Sequence, residues 1–169
     1  MNKIKSVKEL KAIVSLLKKK GKTVGLVTGC FDVLHIGHVE LFRFAKEKVN
    51  YLVVGVDSDE SVRLSKGENH PLFDQKTRMN VLAEQESVDY VFPIESSFKF
   101  STQQANLKWR EIMKELSPTA IITCVSADSA WKRKKLSAIA LGVRFIEDKR
   151  DRKNLRSSSK IIQFLEKEL

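Results

Sequence analysis

Cysteine is scarce: Cys30 and Cys124 are the only two in the chain. Two cannot build a multi-bridge framework or a four-cysteine zinc site, and a reducing compartment such as the cytoplasm suits them. Both read as small packing residues and neither as a nucleophile. Long apolar runs are missing too, since none approaches the roughly 18 residues that a membrane helix needs. The start, Met1-Asn2-Lys3-Ile4-Lys5, is basic but leads into no continuous apolar stretch, so no signal peptide is expected. There is no internal repeat, no low-complexity segment beyond a basic tail, and no aromatic-rich platform for nucleic acid. Acidic residues are in deficit, with 21 Asp and Glu against 31 Lys and Arg, for a formal charge of +10. That excess implies an anionic partner, which could be a nucleotide, a sugar phosphate, RNA or a membrane surface. Much of it falls late in the chain, and for Lys132 to Lys135 a solvated helix face is the plainest reading.

What is present is a regular alternation. Ser6-Val7-Lys8-Glu9 matches a capping box, and Val7, Leu10, Ile13, Val14 and Leu17 recur at helical spacing, which predicts a lead-in helix over 7–19. Strands are expected at 24–28, 51–56, 90–94, 120–124 and 143–146, the third short or at an edge because of Pro93. Helices are expected at about 39–49, 58–64, 75–85, 109–116, 131–141 and 159–167. Residues 95–106 show no clear period and read as a loop or insertion. Such alternation argues for right-handed βαβ units: an α/β, Rossmann-like, doubly wound fold with five parallel strands in the order 3-2-1-4-5. At 169 residues the chain is read as one domain, 1–169, with a lead-in helix in 1–22 and an α/β unit in 23–169.

Ligands of such sheets bind beyond the carboxyl ends of the strands near the topological switch point. There lies Thr28-Gly29-Cys30-Phe31-Asp32-Val33-Leu34-His35-Ile36-Gly37-His38, the turn from strand one into the first sheet helix. Gly29 permits a tight exit, and Gly37 permits close approach of backbone to a ligand. His35 and His38, three apart on a first helical turn, point the same way beside unpaired amides, an arrangement that suits phosphate. A metal would need a third ligand from Cys30, Asp32 or the distant His70. Ordinary structural histidines are the remaining reading.

The stretch from Gly29 to His38 resembles the H-x-G-H signature of the cytidylyltransferase-like nucleotidyltransferases. The similarity continues through Val56-Asp57-Ser58-Asp59, Lys66-Gly67, Arg78-Met79 and Val88-Asp89-Tyr90-Val91. Among these enzymes the chain looks most like the adenylyltransferase domain that makes ADP-heptose. It departs from that pattern in carrying Ser126-Ala127-Asp128 where a Gly-Gly-Asp loop is usual. It departs again in having Arg156-Ser157-Ser158-Ser159-Lys160 where a glycine precedes a Ser-Thr turn. His-Ile-Gly-His is also the signature of class I aminoacyl-tRNA synthetases, for which the chain is too short to include an anticodon-reading domain.

The resemblance implies transfer of a nucleoside monophosphate from ATP, or from CTP, to a phosphorylated sugar or polyol with release of pyrophosphate. A cytidylyltransferase acting on glycerol 3-phosphate is the nearest alternative, and a non-catalytic module for RNA or another polyanion is an alternative of a different kind. It further implies that His35 and His38 contact the triphosphate and that Lys66 reaches phosphates from a mobile loop. Gly29, Cys30, Phe31, Gly37, Asp128, Ser157, Ser158 and Ser159 would form the nucleotide site. Arg78 and Asp32 would serve the acceptor side, Asp32 by orienting the turn or lying near the metal. Mg²⁺ would bridge phosphate oxygens. A homodimer, no membrane and no nucleic acid complete the expectation.

Overall fold

Neighbouring residues along each strand belong to different cores, and this alternation decides the layering. The computed structural model describes residues 2–150. Its elements run α1 (Val7–Lys19), β1 (Val24–Gly29), α2 (Ile36–Lys48), β2 (Tyr51–Asp57), α3 (Asp59–Lys66), α4 (Gln75–Ala83), β3 (Tyr90–Ile94), α5 (Gln103–Leu116), β4 (Ala120–Cys124), α6 (Trp131–Ala140) and β5 (Arg144–Asp148). All five strands pair in parallel in the order β3-β2-β1-β4-β5, as the alternation predicts. On one face Val27, Leu52, Val54, Val56, Val91 and Ile122 meet Leu41, Phe42 and Ala45 of α2 and Leu82 of α4. On the other, Leu26, Val53, Phe92 and Ile121 meet Leu10 and Val14 of α1, Ile112 and Met113 of α5, and Ala138 of α6. Strands that are apolar on both sides need helices on both sides, and a three-layer α/β arrangement results.

The lead-in helix is capped as its sequence indicates: the Ser6 amide donates to Glu9 Oε2 at 2.8 Å, and the Glu9 amide to Ser6 Oγ at 3.2 Å. β3 is the edge strand that Pro93 implies, and its outer side is partly paired. The Val91 amide donates to the Lys3 carbonyl at 3.0 Å, and the Lys5 amide to the Val91 carbonyl at 2.9 Å. Residues 3–5 thereby shield an edge that would otherwise be open to pairing.

Two boundaries differ from expectation by more than two residues. α2 begins at Ile36, before the predicted 39, because His35 and not a later residue is its N-cap. α5 begins at Gln103, inside the stretch read as loop, where Thr102 Oγ1 accepts from the Ala105 amide at 3.2 Å. The predicted helix at 159–167 lies outside the described residues.

The largest fully buried side chain is charged. Arg78, on α4, is 2% exposed. Its Nε donates to the Phe73 carbonyl at 3.0 Å, one Nη to the Cys30 carbonyl, and the other to the Asp57 carbonyl and Asp59 Oδ1, both at 2.7 Å. The planar fork therefore binds the turn after β1, the end of β2 and the loop before α4 together. This corrects the expectation that Arg78 holds acceptor phosphate, because its hydrogen bonds are directed into the protein. Removing the guanidinium leaves three carbonyls and a carboxylate without their donor, so Arg78→Met should lower the free energy of unfolding by about 3–5 kcal/mol. A single ammonium cannot reach all four acceptors, and Arg78→Lys should lose much of the same stability. Urea denaturation of both variants checks this, and a stability equal to wild type in Arg78→Met would contradict it.

Candidate active site

At the end of β1 the chain turns sharply at Phe31. Phe31 adopts φ 50°, the left-handed region that a bulky residue seldom enters, and its ring folds back over Gly29. A Cβ at Gly29 would lie 3.1 Å from that ring. The same ring packs edge-on against His38 with centroids 5.2 Å apart and tilts on Phe42 at 5.4 Å. The strained residue of the turn is thus Phe31, and Gly29 supplies the space that its ring occupies.

His35 and His38 cap the helix that follows. The Gly37 amide donates to His35 Nδ1 at 3.1 Å, and the His35 amide donates to His38 Nδ1 at 3.4 Å. The rings stack with centroids 3.9 Å apart. An Nδ1 that accepts cannot carry the proton, so in each neutral ring Nε2 does. The first turn of α2 accordingly differs from a bare anion site: the Gly37 amide serves the cap, and the donors suited to phosphate are two imidazole N–H groups. Gly37 is buried.

Beside this turn lies a cleft of about 310 Å³. It brings together Gly29, Cys30, Phe31, His38, Lys66 and Asp128 of the expected site, with His35 stacked against His38. Lys66 is the last residue of helix α3, and not part of a mobile loop as expected. Asp32 is turned away from the cleft, its side chain wholly buried. It accepts from the Leu72 amide at 2.7 Å, the Phe73 amide at 3.3 Å and His70 Nδ1 at 3.1 Å. These bonds tie the turn to the 70–73 loop. Ser157, Ser158 and Ser159 lie outside the described residues. Burial pushes the Cys30 thiol up despite Lys66 and Arg78 nearby, in keeping with a packing role.

Several lining residues escape the motif reading. Lys134 donates to Asp128 Oδ2 at 2.7 Å and to the Thr28 carbonyl at 3.3 Å. Lys135 pairs with Glu147 at 2.6 Å, and Arg133 donates to the carbonyls of Ser101 and Phe100. The basic run is therefore not a uniformly solvated face. Trp109 donates from Nε1 to Thr28 Oγ1 at 3.2 Å. Phe98 and Phe100 line the opposite wall, on a segment held by serines of α3: the Phe98 amide donates to Ser61 Oγ, and the Phe100 amide to Ser65 Oγ. Ser61 and Ser65 stand four apart on a short helix, a spacing that the sequence displays.

Two carboxyls of the cleft behave in opposite ways. Burial pushes Asp128 up, but the charge and hydrogen bond of Lys134, with Thr123 Oγ1 and the Ala130 amide, outweigh it and hold the carboxyl below its usual range. Asp57 is pushed up from 3.8 to about 6, chiefly by burial and further by Asp128, with Lys134, Arg78 and Lys66 pulling the other way.

A family model described as cytidylyltransferase-like matches residues 26–164. Similar curated proteins include the bifunctional protein HldE of a Nitratiruptor species, 36% identical over 144 residues that make up 85% of this chain and 29% of that protein. The bifunctional protein HldE of Geobacter metallireducens is 44% identical over 89 residues, 53% of this chain and 18% of that one. The chain thus spans less than a third of the length of either relative. A solved structure of a lipopolysaccharide core biosynthesis protein from Thermoplasma volcanium superposes with a TM-score of 0.59 at 25% identity, over 78% of this chain and 100% of that one. Pantothenate synthetase from Thermus thermophilus gives 0.66 at 18% identity, over 95% and 67% of the respective chains, a likeness of fold alone.

The raised Asp57 makes stability depend on pH. Between 3.8 and about 6 the folded chain holds a proton on Asp57 that the unfolded chain has released, so this carboxyl's contribution to stability falls as pH rises through that window. Asp57→Asn carries no such penalty. The melting temperature of the variant relative to wild type should therefore climb from pH 4 to about pH 7 and then level off. Thermal unfolding across that range checks it, and a difference independent of pH would contradict it.

Proposed function

Because the chain belongs to the cytidylyltransferase-like family, we propose that it is a nucleotidyltransferase that moves a nucleoside monophosphate, AMP in preference to CMP, from a nucleoside triphosphate to a phosphorylated sugar or polyol. The observation that carries the reading is the stacked pair His35 and His38. Both have Nδ1 committed to the cap of α2, at the mouth of a cleft that also holds Lys66. The preference for AMP rests on the resemblance to the ADP-heptose domain. A sugar phosphate as acceptor is supported by the likeness to a lipopolysaccharide core biosynthesis protein.

In this reaction an oxygen of the acceptor phosphate attacks the α-phosphorus, the bond to the β-phosphate breaks, and pyrophosphate leaves with the electron pair. The attacking oxygen is already ionised at neutral pH, so no general base is needed. Catalysis consists of aligning two anions and stabilising the charge that builds on the α-phosphate and the leaving group. Nε2–H of His38 and of His35 donate to those oxygens, and the Lys66 ammonium adds a positive charge beside them. Ser157, Ser158 and Ser159 take the β- and γ-phosphates in the same proposal. Mg²⁺ bound to the triphosphate would neutralise further charge. Such an ion would be held mainly by the substrate's phosphates, and among the described residues no group of three His, Cys, Asp or Glu side chains is placed to hold one.

A polyanion-binding module is disfavoured by a specific observation: Arg133 and Lys135 are engaged with the protein's own acceptors. Pyrophosphate release measured with ATP, CTP, GTP and UTP against heptose 1-phosphate, hexose 1-phosphates and glycerol 3-phosphate tests the function. ATP with a sugar 1-phosphate should give the highest kcat/KM, whereas CTP with glycerol 3-phosphate as the best pair would select the alternative. In the active pair His38→Ala should lower kcat by about 10² to 10³, with a loss of stability no larger than the roughly 1 kcal/mol of a lost cap. Undiminished turnover in that variant would remove the assignment.

A further inference from the structure

Lys134 stands in an unusual position for a residue inside a run of four cations. Its neighbour Lys132 is exposed, with its ammonium over the Trp131 ring. The Lys134 side chain retains only 14% of its accessibility and lines the cleft. An ammonium has three N–H donors. Two are occupied, by Asp128 Oδ2 at 2.7 Å and by the Thr28 carbonyl at 3.3 Å, and these anchors fix the charge at the end of β1, where β1 and β4 part company. Asp128 is itself fully engaged, accepting from Thr123 Oγ1 at 2.8 Å and from the Ala130 amide at 2.8 Å. The anchor is therefore rigid, and the third donor is left for a ligand in the cleft.

The charge inventory points the same way. A cleft that brings two phosphorylated substrates together needs several cations, and Arg78 is committed to backbone and Asp59. Arg133 is committed to the carbonyls of the 100–101 segment. Of the cations lining the cleft, Lys66 on α3, Lys108 on α5 and Lys134 on α6 remain, and Lys108 is paired with Glu111 on its own helix. We propose that Lys134 is a phosphate ligand of this site: anchored by Asp128 and the Thr28 carbonyl, it donates its third N–H to a phosphate oxygen of a substrate bound in the cleft. The inference rests on the nucleotidyl-transfer reading for the identity of its substrates.

Steady-state pyrophosphate release by Lys134→Gln, Lys134→Arg and Lys132→Gln, with nucleotide and acceptor varied in turn and unfolding midpoints measured alongside, tests the assignment. Lys134→Gln should raise KM for one substrate about 10- to 100-fold, as expected for loss of a hydrogen bond between charged groups. Lys134→Arg should recover most of that loss, and Lys132→Gln should match wild type. A rise in the acceptor's KM assigns the contact to the acceptor phosphate, and a rise in the nucleotide's KM to the triphosphate; either supports the proposal. KM values for Lys134→Gln within about twofold of those for Lys132→Gln would overturn it, as would a fall in kcat alone that follows a lowered midpoint. If wild type releases no pyrophosphate with any pair, the nucleotidyl-transfer reading fails by itself. Lys134 is then tested by calorimetric titration with ATP and with glucose 1-phosphate. Weaker binding of either by Lys134→Gln supports its role, and equal binding, or none by wild type, overturns it.

Discussion

The site depends on the burial of one guanidinium. A parallel sheet delivers all its strand ends to the same side, but the segments that leave those ends have no reason to stay near one another. Arg78 gives them one, since its fork bonds to Cys30 after β1, to Asp57 and Asp59 after β2, and to Phe73 before its own helix. A charge held in so dry a place is tolerated only because each group around it is an acceptor. Asp32 completes the same arrangement from the other direction, its carboxylate holding the amides of Leu72 and Phe73. The turn that carries the histidines is thus pinned at consecutive stages by groups that face away from the ligand.

The far wall of the cleft is tied by a separate set of bonds. Serines of α3 hold the segment that carries Phe98 and Phe100, and Arg133 of α6 grips the same segment by its carbonyls. Trp109 of α5 and Lys134 of α6 both reach Thr28, near the end of β1. Two helices on one face of the sheet therefore converge on one residue of the central strand. Electrostatically this clusters two carboxyls with two lysines, so one carboxyl, Asp128, is firmly ionised while the other, Asp57, is disfavoured as a charge.

Much of this was legible in the sequence, for physical reasons that differ from element to element. Short continuous apolar runs and the capping box at Ser6 are local signals, and strand order followed from the alternation of strands with helices. That His35 and His38 belong together beside the cleft was legible because two imidazoles and glycines in one short turn are hard to account for by packing. Arg78 was misread because a buried guanidinium and a phosphate ligand require the same residue at the same place, and only its tertiary partners tell them apart. Lys134 was misread for the converse reason: in a run of four cations, burial depends on which face of α6 meets the cleft. The start of α5 was hidden by the loop before it, although Ala105, Trp109, Ile112, Met113 and Leu116 already stood at helical spacing.

The histidine turn explains why imidazole, and not a better helix cap, occupies both positions. Aspartate at residue 35 would cap the helix at least as well, but an ionised carboxylate only accepts and would leave no donor directed elsewhere. Imidazole separates the two tasks on opposite sides of one rigid ring: Nδ1 accepts from the backbone, which fixes the tautomer, and Nε2 is thereby obliged to carry the proton. Stacking at 3.9 Å and the edge contact from Phe31 hold both rings in place. One side chain thereby caps the helix in a fixed tautomer and keeps an N–H on the far side of its ring. The left-handed backbone at Phe31 is the local strain that accompanies this arrangement, and it sits where such strain is tolerated, beside the reacting groups.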